Sequence, residues 1–355
     1  MDPHHDRASV EVLEGYRATV APLLRPICLR GHERAMTRVL FNKEGDLVFT
    51  AAKNASPNVW FSQNGERLGT FEGHQGVVWC IDVDYTSSHL ISGSGDSTLK
   101  LWDVSCGKAL NSLPTTTPVR ACGFSYSGNL VFLATDDVMK TPCQVMLLDT
   151  RVPSHMAGKD SVMNTRGCSV STKITAAIWG DLEDSIIVGC ESGEINMLDS
   201  RTGDTIKSVK AHGEQITDLQ AHPDGTMFIS ASKDHTAQLH STYELDTIKT
   251  YQSERPVNSA AISPNRNHIL LGGGQEARDV TTTATTLGQF DAKFYHMIYS
   301  EPFGTVKGHF GPINSVCFRP DGSGFATGGE DGYVRLHVFD DDYADVDQRI
   351  FNVPP

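Results

Sequence analysis

The stretch Gly73-His74-Gln75-Gly76-Val77-Val78-Trp79-Cys80-Ile81-Asp82-Val83 begins the clearest repeat of this chain, and Leu99-Lys100-Leu101-Trp102-Asp103 lies near its end. Two further apolar runs, at residues 90–93 and 109–113, belong to the same unit. Gly, Ser and Asp separate the four runs, and the apolar residues show no helical spacing. This pattern predicts four short strands joined by tight turns.

The same residue types recur at fixed offsets in four places. A histidine is followed after 18 positions by Ser or Thr, after 22 by Asp or Asn, and after 28 by Trp or His. The four sets are His32, Thr50, Asn54 and Trp60; His74, Ser92, Asp96 and Trp102; His212, Ser230, Asp234 and His240; and His309, Thr327, Asp331 and His337. A spacing that repeats at intervals near 40 to 50 residues, or at multiples of that, indicates a repeat architecture.

Seven copies of the unit are predicted, although the third, fourth and sixth lack the Gly-His pair and the fifth has Ala211-His212 in its place. Their first strands centre on residues 37–41, 77–83, 119–124, 174–179, 216–220, 257–262 and 313–318. Four-stranded units that carry Gly-His and Trp-Asp resemble the WD40 repeat, which implies an all-β, seven-bladed β-propeller. The seventh copy has only three strands, so we expect Pro26-Ile27-Cys28-Leu29 to supply the fourth and close the ring.

The predicted domains are a flexible N-terminal arm at residues 1–24, the propeller at 25–340, and an acidic C-terminal tail at 341–355. Residues 340–347 contain five aspartates, which favours a solvated end. The net charge of -13 disfavours a grip on nucleic-acid phosphates, so little direct nucleic-acid contact is expected. No apolar run approaches a membrane span, and the eight cysteines show no metal-like spacing, which favours a reduced, intracellular protein.

The histidine sets also permit a catalytic interpretation. His74, Ser92 and Asp96 are the residue types of a hydrolytic triad, but a triad needs one exposed nucleophile and not several repeated copies. We therefore predict that each set is a structural tetrad of hydrogen-bonded side chains, altered where His240 and His337 replace Trp. No catalytic residue, cofactor or metal site is predicted.

A second alternative comes from two strand ends, Leu148-Asp149-Thr150-Arg151 and Leu198-Asp199-Ser200-Arg201. They resemble the Trp-Asp-x-Arg pattern of propellers that serve cullin-type ubiquitin ligases, although both lack the Trp. The alternative function is therefore a substrate receptor of such a ligase.

Longer blocks resemble one family across residues 25 to about 340. The most distinctive are Gly-Gly-Gly-Gln-Glu-Ala-Arg-Asp-Val-Thr-Thr-Thr at 272–283, Gly-His-Phe-Gly-Pro-Ile-Asn-Ser-Val at 308–316, and Gly-Gly-Glu-Asp-Gly-Tyr-Val-Arg at 328–335. They are similar to the i subunit of eukaryotic translation initiation factor 3. The resemblance implies a non-enzymatic, cytoplasmic scaffold that supports recruitment of initiator tRNA and mRNA to the small ribosomal subunit. It also implies that the b and g subunits are the chief partners and that the ribosome is contacted through the complex.

The WD40 resemblance also implies which side chains surround the mouth of the channel. Candidate partner-binding residues are Trp79, Arg120, Lys173, Thr217, Lys233, Asn258 and Asn314. Trp and Arg dominate interface hot spots, so Trp79 and Arg120 are expected to share one contact patch. Two alternatives remain open: Trp79 packs against a neighbouring blade, or the b-subunit helix lies along the side of the ring near blades five and six.

Overall fold

The computed structural model describes residues 10–11, 25–138, 141–156, 158, 160–164, 172–274 and 290–351. Within them, seven antiparallel sheets follow one another along the chain. The innermost strand of each sheet contacts that of the next sheet, and the seventh contacts the first. The prediction of a seven-bladed all-β propeller is therefore confirmed.

The strands of each blade run in sequence from the channel outward. Blades one to three contain Met36–Phe41, Leu47–Ala52, Asn58–Phe61 and Arg67–Thr70; Val78–Val83, His89–Ser94, Thr98–Asp103 and Ala109–Pro114; and Val119–Phe124, Leu130–Thr135, Val145–Asp149 and Met163–Asn164. Blades four and five contain Ile174–Trp179, Ser185–Cys190, Glu194–Asp199 and Thr205–Lys210; and Ile216–Ala221, Met227–Ser232, Thr236–Ser241 and Thr247–Gln252. Blades six and seven contain Val257–Ile262, His268–Gly273, Ala292–His296 and Pro302–Val306; and Ile313–Phe318, Gly324–Gly329 and Val334–Val338.

The apolar core lies between neighbouring blades. One cluster joins Met36 and Val39 of blade one to Ala326 and Leu336 of blade seven. The second strand of each blade is covered on both faces, so it is apolar or small almost throughout, as Leu130–Thr135 is. Burial of this apolar surface stabilises each blade only while its neighbour is present.

The ring is closed by the N-terminal segment, as the sequence predicted. Strand Ile27–Leu29 pairs antiparallel with Val334–Val338 and forms the fourth strand of blade seven. Leu29 is buried in the cluster between blades one and seven. Pairing the first blade-forming strand with the last removes an open sheet edge.

A second N-terminal contact lies outside the ring. Strand Val10–Glu11 pairs antiparallel with Pro302–Val306, the outer strand of blade six. Residues 1–9 and 12–24 of the predicted N-terminal arm lie outside the described residues.

The C-terminal segment is packed, which differs from the solvated end expected from its aspartates. A 3-10 helix at Asp341–Asp345 and an α-helix at Val346–Phe351 follow blade seven. The ring of Tyr343 stacks on Phe339, with 3.7 Å between centroids. The apolar residues between the aspartates pack against blades six and seven, which the count of charges does not reveal.

Two short helices lie within the blades, at Pro153–Met156 and Asp181–Glu183. No helix in the described part of the chain is long and apolar enough to cross a membrane. The seven cysteines that the structure describes are all free thiols. Cys80, Cys122 and Cys190 are buried in strands as small apolar residues.

Removing residues 1–30 is expected to destabilise the whole ring. Of the described residues, removing residues 1–24 takes away only the two-residue strand Val10–Glu11 at the outer edge of blade six, and it is expected to have little effect. The longer truncation takes away strand Ile27–Leu29 and exposes the edge of Val334–Val338. The longer truncation is expected to lower the unfolding free energy by at least about 3 kcal/mol, because apolar side chains that are buried in the ring are removed with the strand. Urea denaturation of both truncations and the full chain measures it, and equal midpoints for all three would show that the strand does not close the ring.

Ending the chain after Asp340 is expected to lower stability by about 2–4 kcal/mol, because Val346 and the ring of Tyr343 no longer cover the aromatic cluster of blades six and seven. A chain that ends at Phe351 is the matched control and is expected to melt like the full protein. Calorimetry compares the two, and a harmless truncation at Asp340 would mean that the C-terminal helices contribute no packing energy.

Candidate partner-binding face

Blade two holds a complete hydrogen-bonded tetrad. The two ring nitrogens of His74 lie 3.0 Å from Oδ2 of Asp96 and 2.7 Å from Oγ of Ser92. Trp102 donates its indole N–H to the same Ser92 hydroxyl at 2.8 Å. Ser92 and Trp102 are fully buried, and buried polar groups are stable only when they are hydrogen-bonded. The tetrad therefore ties the loop before the blade to the blade's second and third strands.

Asp96 fixes the adjacent turn as well as the histidine. Its carboxylate accepts backbone N–H groups from Gln75 at 2.9 Å and Thr98 at 3.0 Å. Burial raises the pKa of Asp96, but hydrogen bonds from Thr98, Gln75 and His74 outweigh it and hold the pKa below its usual value. Burial lowers the pKa of His74. The result is an ionised carboxylate held beside a neutral imidazole.

Blade one keeps the same geometry with an amide in place of the carboxylate. His32 lies 2.8 Å from Oγ1 of Thr50 through Nε2 and 3.2 Å from Oδ1 of Asn54 through Nδ1. Trp60 donates its indole N–H to Thr50 at 2.9 Å. Burial lowers the pKa of His32 to about 4, and no carboxylate offsets that effect.

Blade five completes its set with a histidine where blade two has a tryptophan. His212 contacts Ser230 at 2.7 Å and Asp234 at 3.0 Å. Nε2 of His240 lies 2.9 Å from the Ser230 hydroxyl. The His240 ring therefore makes the contact to the hydroxyl that Trp102 makes in blade two. Ala211 precedes His212 where blade two has a glycine. The smaller imidazole leaves room for that methyl group, whereas a Cβ on Gly73 would lie 3.2 Å from the Trp102 ring.

Blade seven builds its network around a cation. His309 contacts Thr327 at 2.8 Å and Asp331 at 3.1 Å. Nη1 of Arg335 donates to Oδ2 of Asp331 at 3.1 Å. Burial raises the pKa of Asp331, but hydrogen bonds from His309 and the Phe310 N–H, together with the charges of His309 and Arg335, outweigh it. The pKa is held below its usual value, so the carboxylate stays ionised.

His337 is the exception among the four sets. Its ring stacks on Phe325, with 4.5 Å between centroids and 7° between planes. Its Nδ1 atom is buried without a hydrogen-bond partner among the described residues. Burial lowers the pKa of His337 to about 3. The side chain therefore packs as an aromatic ring, and its Nδ1 atom contributes no hydrogen bond.

The hydroxyl groups of all four sets are buried. Thr50, Ser92, Ser230 and Thr327 are at most 1% exposed. A nucleophile has to reach its substrate, and each of these hydroxyls is instead bonded to a histidine inside the blade. This geometry disfavours the hydrolytic alternative. No group of His, Cys, Asp and Glu that fits a metal ion occurs among the described residues.

Three of the predicted partner-binding residues turn out to join blades. In four blades, the side chain of the second residue of the innermost strand donates a hydrogen bond to the next blade. The acceptor is the carbonyl oxygen of the first residue in the innermost strand of that blade. The bonds run from Thr37 to Val78 at 2.7 Å, Thr217 to Val257 at 2.8 Å, Asn258 to Ile313 at 3.1 Å, and Asn314 to Met36 at 3.0 Å. We call these bonds the inter-blade latches. The sequence showed polar residues at this position but not their acceptors.

Trp79, Arg120 and Lys173 form one cluster on blades two to four. The guanidinium carbon of Arg120 lies 4.2 Å from the centre of the Trp79 ring. Nε of Arg120 donates to Oδ2 of Asp136 at 2.7 Å, and Nζ of Lys173 lies 3.3 Å from Oδ1. Trp79 therefore packs against the neighbouring blade through Arg120 and also remains partly exposed at the rim.

A cavity of about 320 Å³ opens beside this cluster. Its lining includes Trp79, Arg120, Lys173, Thr217 and Asn314. Asn258 lines a connected, deeper cavity of about 360 Å³ that shares several of these residues. Lys233 is not among the lining residues of either; its backbone N–H bonds to Gln215 beside the blade-five turn.

An ion pair inside the channel was not predicted. Nη1 of Arg38 in blade one lies 2.5 Å from Oδ1 of Asp218 in blade five, 180 positions along the chain. Ser259 and Gln220 donate to the other carboxylate oxygen at 2.5 and 2.9 Å. Blades one and five are not adjacent, so this pair braces the ring across its interior. The only signal in the sequence was that both charges stand third in an innermost strand.

Replacing His337 by Phe is expected to raise the unfolding free energy by about 1–3 kcal/mol, because a buried nitrogen without a partner is removed and the stacked ring is kept. His240→Phe is the matched control and is expected to destabilise, since it leaves Ser230 without the His240 contact. Urea denaturation at pH 7.5 measures both, and a destabilised His337→Phe would contradict the structural assignment.

The same variant has a pH signature. The folded pKa of His337 lies below its ordinary value of 6.5, so between those values the unfolded chain binds a proton that the folded chain does not. Its contribution therefore makes stability fall as the pH drops from about 6.5 toward 3. His337→Phe is expected to flatten this dependence by up to about 1.4 kcal/mol per pH unit. Denaturation midpoints at several pH values measure the slope.

Comparison with known proteins identifies the family of the chain. The EIF3I family model matches residues 24–348. Eukaryotic translation initiation factor 3 subunit I of Bombyx mori is 52% identical over 323 residues, which cover 91% of this chain and 98% of that protein. The same subunit of Homo sapiens is 51% identical over 320 residues, covering 90% and 98%. The chain therefore belongs to the family of subunit I of eukaryotic translation initiation factor 3.

Proposed function

We propose that this chain is a non-catalytic scaffold subunit of translation initiation factor 3 in the cytoplasm. In that role it supports recruitment of initiator tRNA and mRNA to the small ribosomal subunit. The observation that carries the proposal is the identity of 51–52% across 98% of the length of relatives named as subunit I. The residues that the family model matches include every blade of the propeller. The similarity that supports the proposal therefore extends over the whole ring.

The internal chemistry of the propeller supports a scaffold. The tetrad hydroxyls are buried and engaged in hydrogen bonds, and they hold the loops of four blades in place. The inter-blade latches and the Arg38–Asp218 pair add contacts between blades. A rigid ring of this kind presents its loops in fixed positions, so its loops lose less conformational entropy when a partner binds.

Other subunits of the factor, chiefly b and g, are the proposed partners, and the ribosome is reached through them. The net charge of -13 supports an indirect contact with the ribosome, because binding to nucleic-acid phosphates requires a basic surface. Trp79, Arg120 and Lys173 are the proposed contact residues, since they share one partly exposed cluster. Thr217, Asn258 and Asn314 contribute by holding the neighbouring blades together.

A tagged full-length chain, purified from cells under mild salt, is expected to bring down the b and g subunits and the small ribosomal subunit. Mass spectrometry of the eluate identifies them. Recovery of cullin-type ligase components in their place would instead support the substrate-receptor alternative. The chain without residues 1–24 is the control that keeps its partners, whereas the chain without residues 1–30 is expected to lose them with its fold.

A further inference from the structure

The rim of the channel is divided into two unlike halves. At four of the seven junctions between blades, the second residue of the innermost strand forms an inter-blade latch. The three remaining positions are consecutive and belong to blades two, three and four: Trp79, Arg120 and Thr175. Thr175 donates to Gly189 within its own blade at 3.1 Å. In the described contacts, neither Trp79 nor Arg120 bonds the carbonyl oxygen that begins the next blade; the two side chains contact each other instead.

Among the charged side chains that line the cavity of about 320 Å³, cations outnumber carboxylates, with Lys53, Arg120 and Lys173 against Glu330. Asp136 is the carboxylate that the described contacts place against both Arg120 and Lys173. The Asp136 side chain is 4% exposed, whereas those of Arg120 and Lys173 are 25% and 31% exposed. One buried anion therefore neutralises one of two cations, and the cationic groups are the ones that face solvent. Across the cavity, Lys53 and Glu330 neutralise each other at 2.9 Å.

The guanidinium of Arg120 is held in a fixed orientation. Its face lies on the Trp79 ring, and its Nε atom is bonded to Asp136. The contacts recorded among the described residues leave its two terminal nitrogens without a protein acceptor. A planar fork with fixed orientation binds a carboxylate through two parallel hydrogen bonds, and less entropy is lost when such a fork is already in place.

We propose that this half of the rim is a docking site for an acidic segment of a partner protein, in which an Asp or Glu stands next to an apolar side chain. The partner's carboxylate binds the terminal nitrogens of Arg120 beside the Lys173 ammonium. The apolar neighbour packs against the exposed part of Trp79. This assignment rests on the proposed scaffold function and names the chemistry that one of its surfaces recognises.

The charge balance argues for this occupant over a basic one. An incoming carboxylate gives two cations and two carboxylates around Arg120, whereas a basic side chain would meet uncompensated like charge. The cavity of about 320 Å³ holds a few side chains and not a folded domain. The chain as a whole carries a net charge of -13, so an acidic segment finds attraction only at a local cationic site such as this one.

The test is photo-crosslinking in the intact complex in cells. Gln215 lines the cavity and is partly exposed, so it is replaced by p-benzoylphenylalanine in the tagged full-length chain. After irradiation and purification, mass spectrometry reads the sequence of the crosslinked segment. The expected product is a protein segment that carries Asp or Glu beside an apolar residue. A basic segment, an RNA product, or no crosslink despite co-purified factor subunits would overturn the proposal.

Two substitutions, made in the chain that carries p-benzoylphenylalanine at position 215, test whether Lys173 and Arg120 bind the acidic segment. Lys173→Gln keeps the Arg120–Asp136 pair, and Arg120→Lys keeps a cation beside Asp136 but removes the planar fork. Each is expected to reduce the crosslink by about tenfold, because hydrogen bonds between charged groups are stronger than neutral ones. Lys43→Gln, on the opposite mouth of the channel, is the control and is expected to leave the yield unchanged. Melting temperatures show that each variant is folded, and unchanged crosslinking in both folded rim variants would overturn the assignment.

The same purification separates this proposal from the proposed function. An acidic segment crosslinked in a protein outside the factor would support the docking site and contradict the scaffold role. Factor subunits recovered without the expected crosslink would support the scaffold role and contradict the docking site.

Discussion

The hydrogen bonds between Ile27–Leu29 and Val334–Val338 are the interaction on which the rest of the ring depends. Each core cluster of this propeller lies between two blades, so a blade with no neighbour on one side exposes half of its apolar surface. The closing strand joins the two ends of the chain in one sheet and keeps blade seven against blade one. The latch from Asn314 to Met36 lies at the same junction, as does a bond from the Val39 N–H to Ser315.

Once the ring is closed, the polar residues inside it stabilise its shape in two ways. The tetrads act within a blade, where a buried histidine joins a loop to the sheet. The latches and the Arg38–Asp218 pair act between blades. Loss of one partner is expected to cost more stability in the ion pair than in a latch, because a buried charge without its partner is strongly destabilising. Arg38 bonds one carboxylate oxygen of Asp218, and Ser259 and Gln220 both donate to the other, so each oxygen has a partner.

One strand position serves both the fold and the proposed binding surface. At the second residue of the innermost strand, small polar side chains such as Thr217 and Asn258 are short enough to bond the neighbouring backbone. Trp79 and Arg120 occupy the same position on blades two and three, but they stack on each other at the rim. Thr175, at the same position of blade four, bonds Gly189 of its own blade, so side-chain size alone does not decide which positions form latches. The two large side chains, Trp79 and Arg120, lie on adjacent blades and are partly exposed.

The sequence alone determined the seven repeats, the bounds of the seven innermost strands to within a residue, and the strand that closes the ring. These features depend on local patterns: apolar runs separated by Gly, Ser and Asp, and the constant spacing from His74 to Ser92 and Trp102. The family resemblance likewise rested on contiguous blocks of residues. The sequence also placed Trp79 and Arg120 together, because equivalent positions of neighbouring repeats are neighbours in a propeller.

Only the tertiary structure decided which polar residues meet across the ring. Arg38 and Asp218 are 180 positions apart, and nothing local distinguishes them from charges that face solvent. Asn258 and Asn314 bond to backbone carbonyls, which any sequence provides, so their role depends on the distance between blades. His240 and His337 replace the same tryptophan, yet one bonds Ser230 and the other stacks on Phe325. The C-terminal aspartates alternate with apolar residues whose burial depends on a surface formed by two other blades, and that surface exists only after the ring has closed.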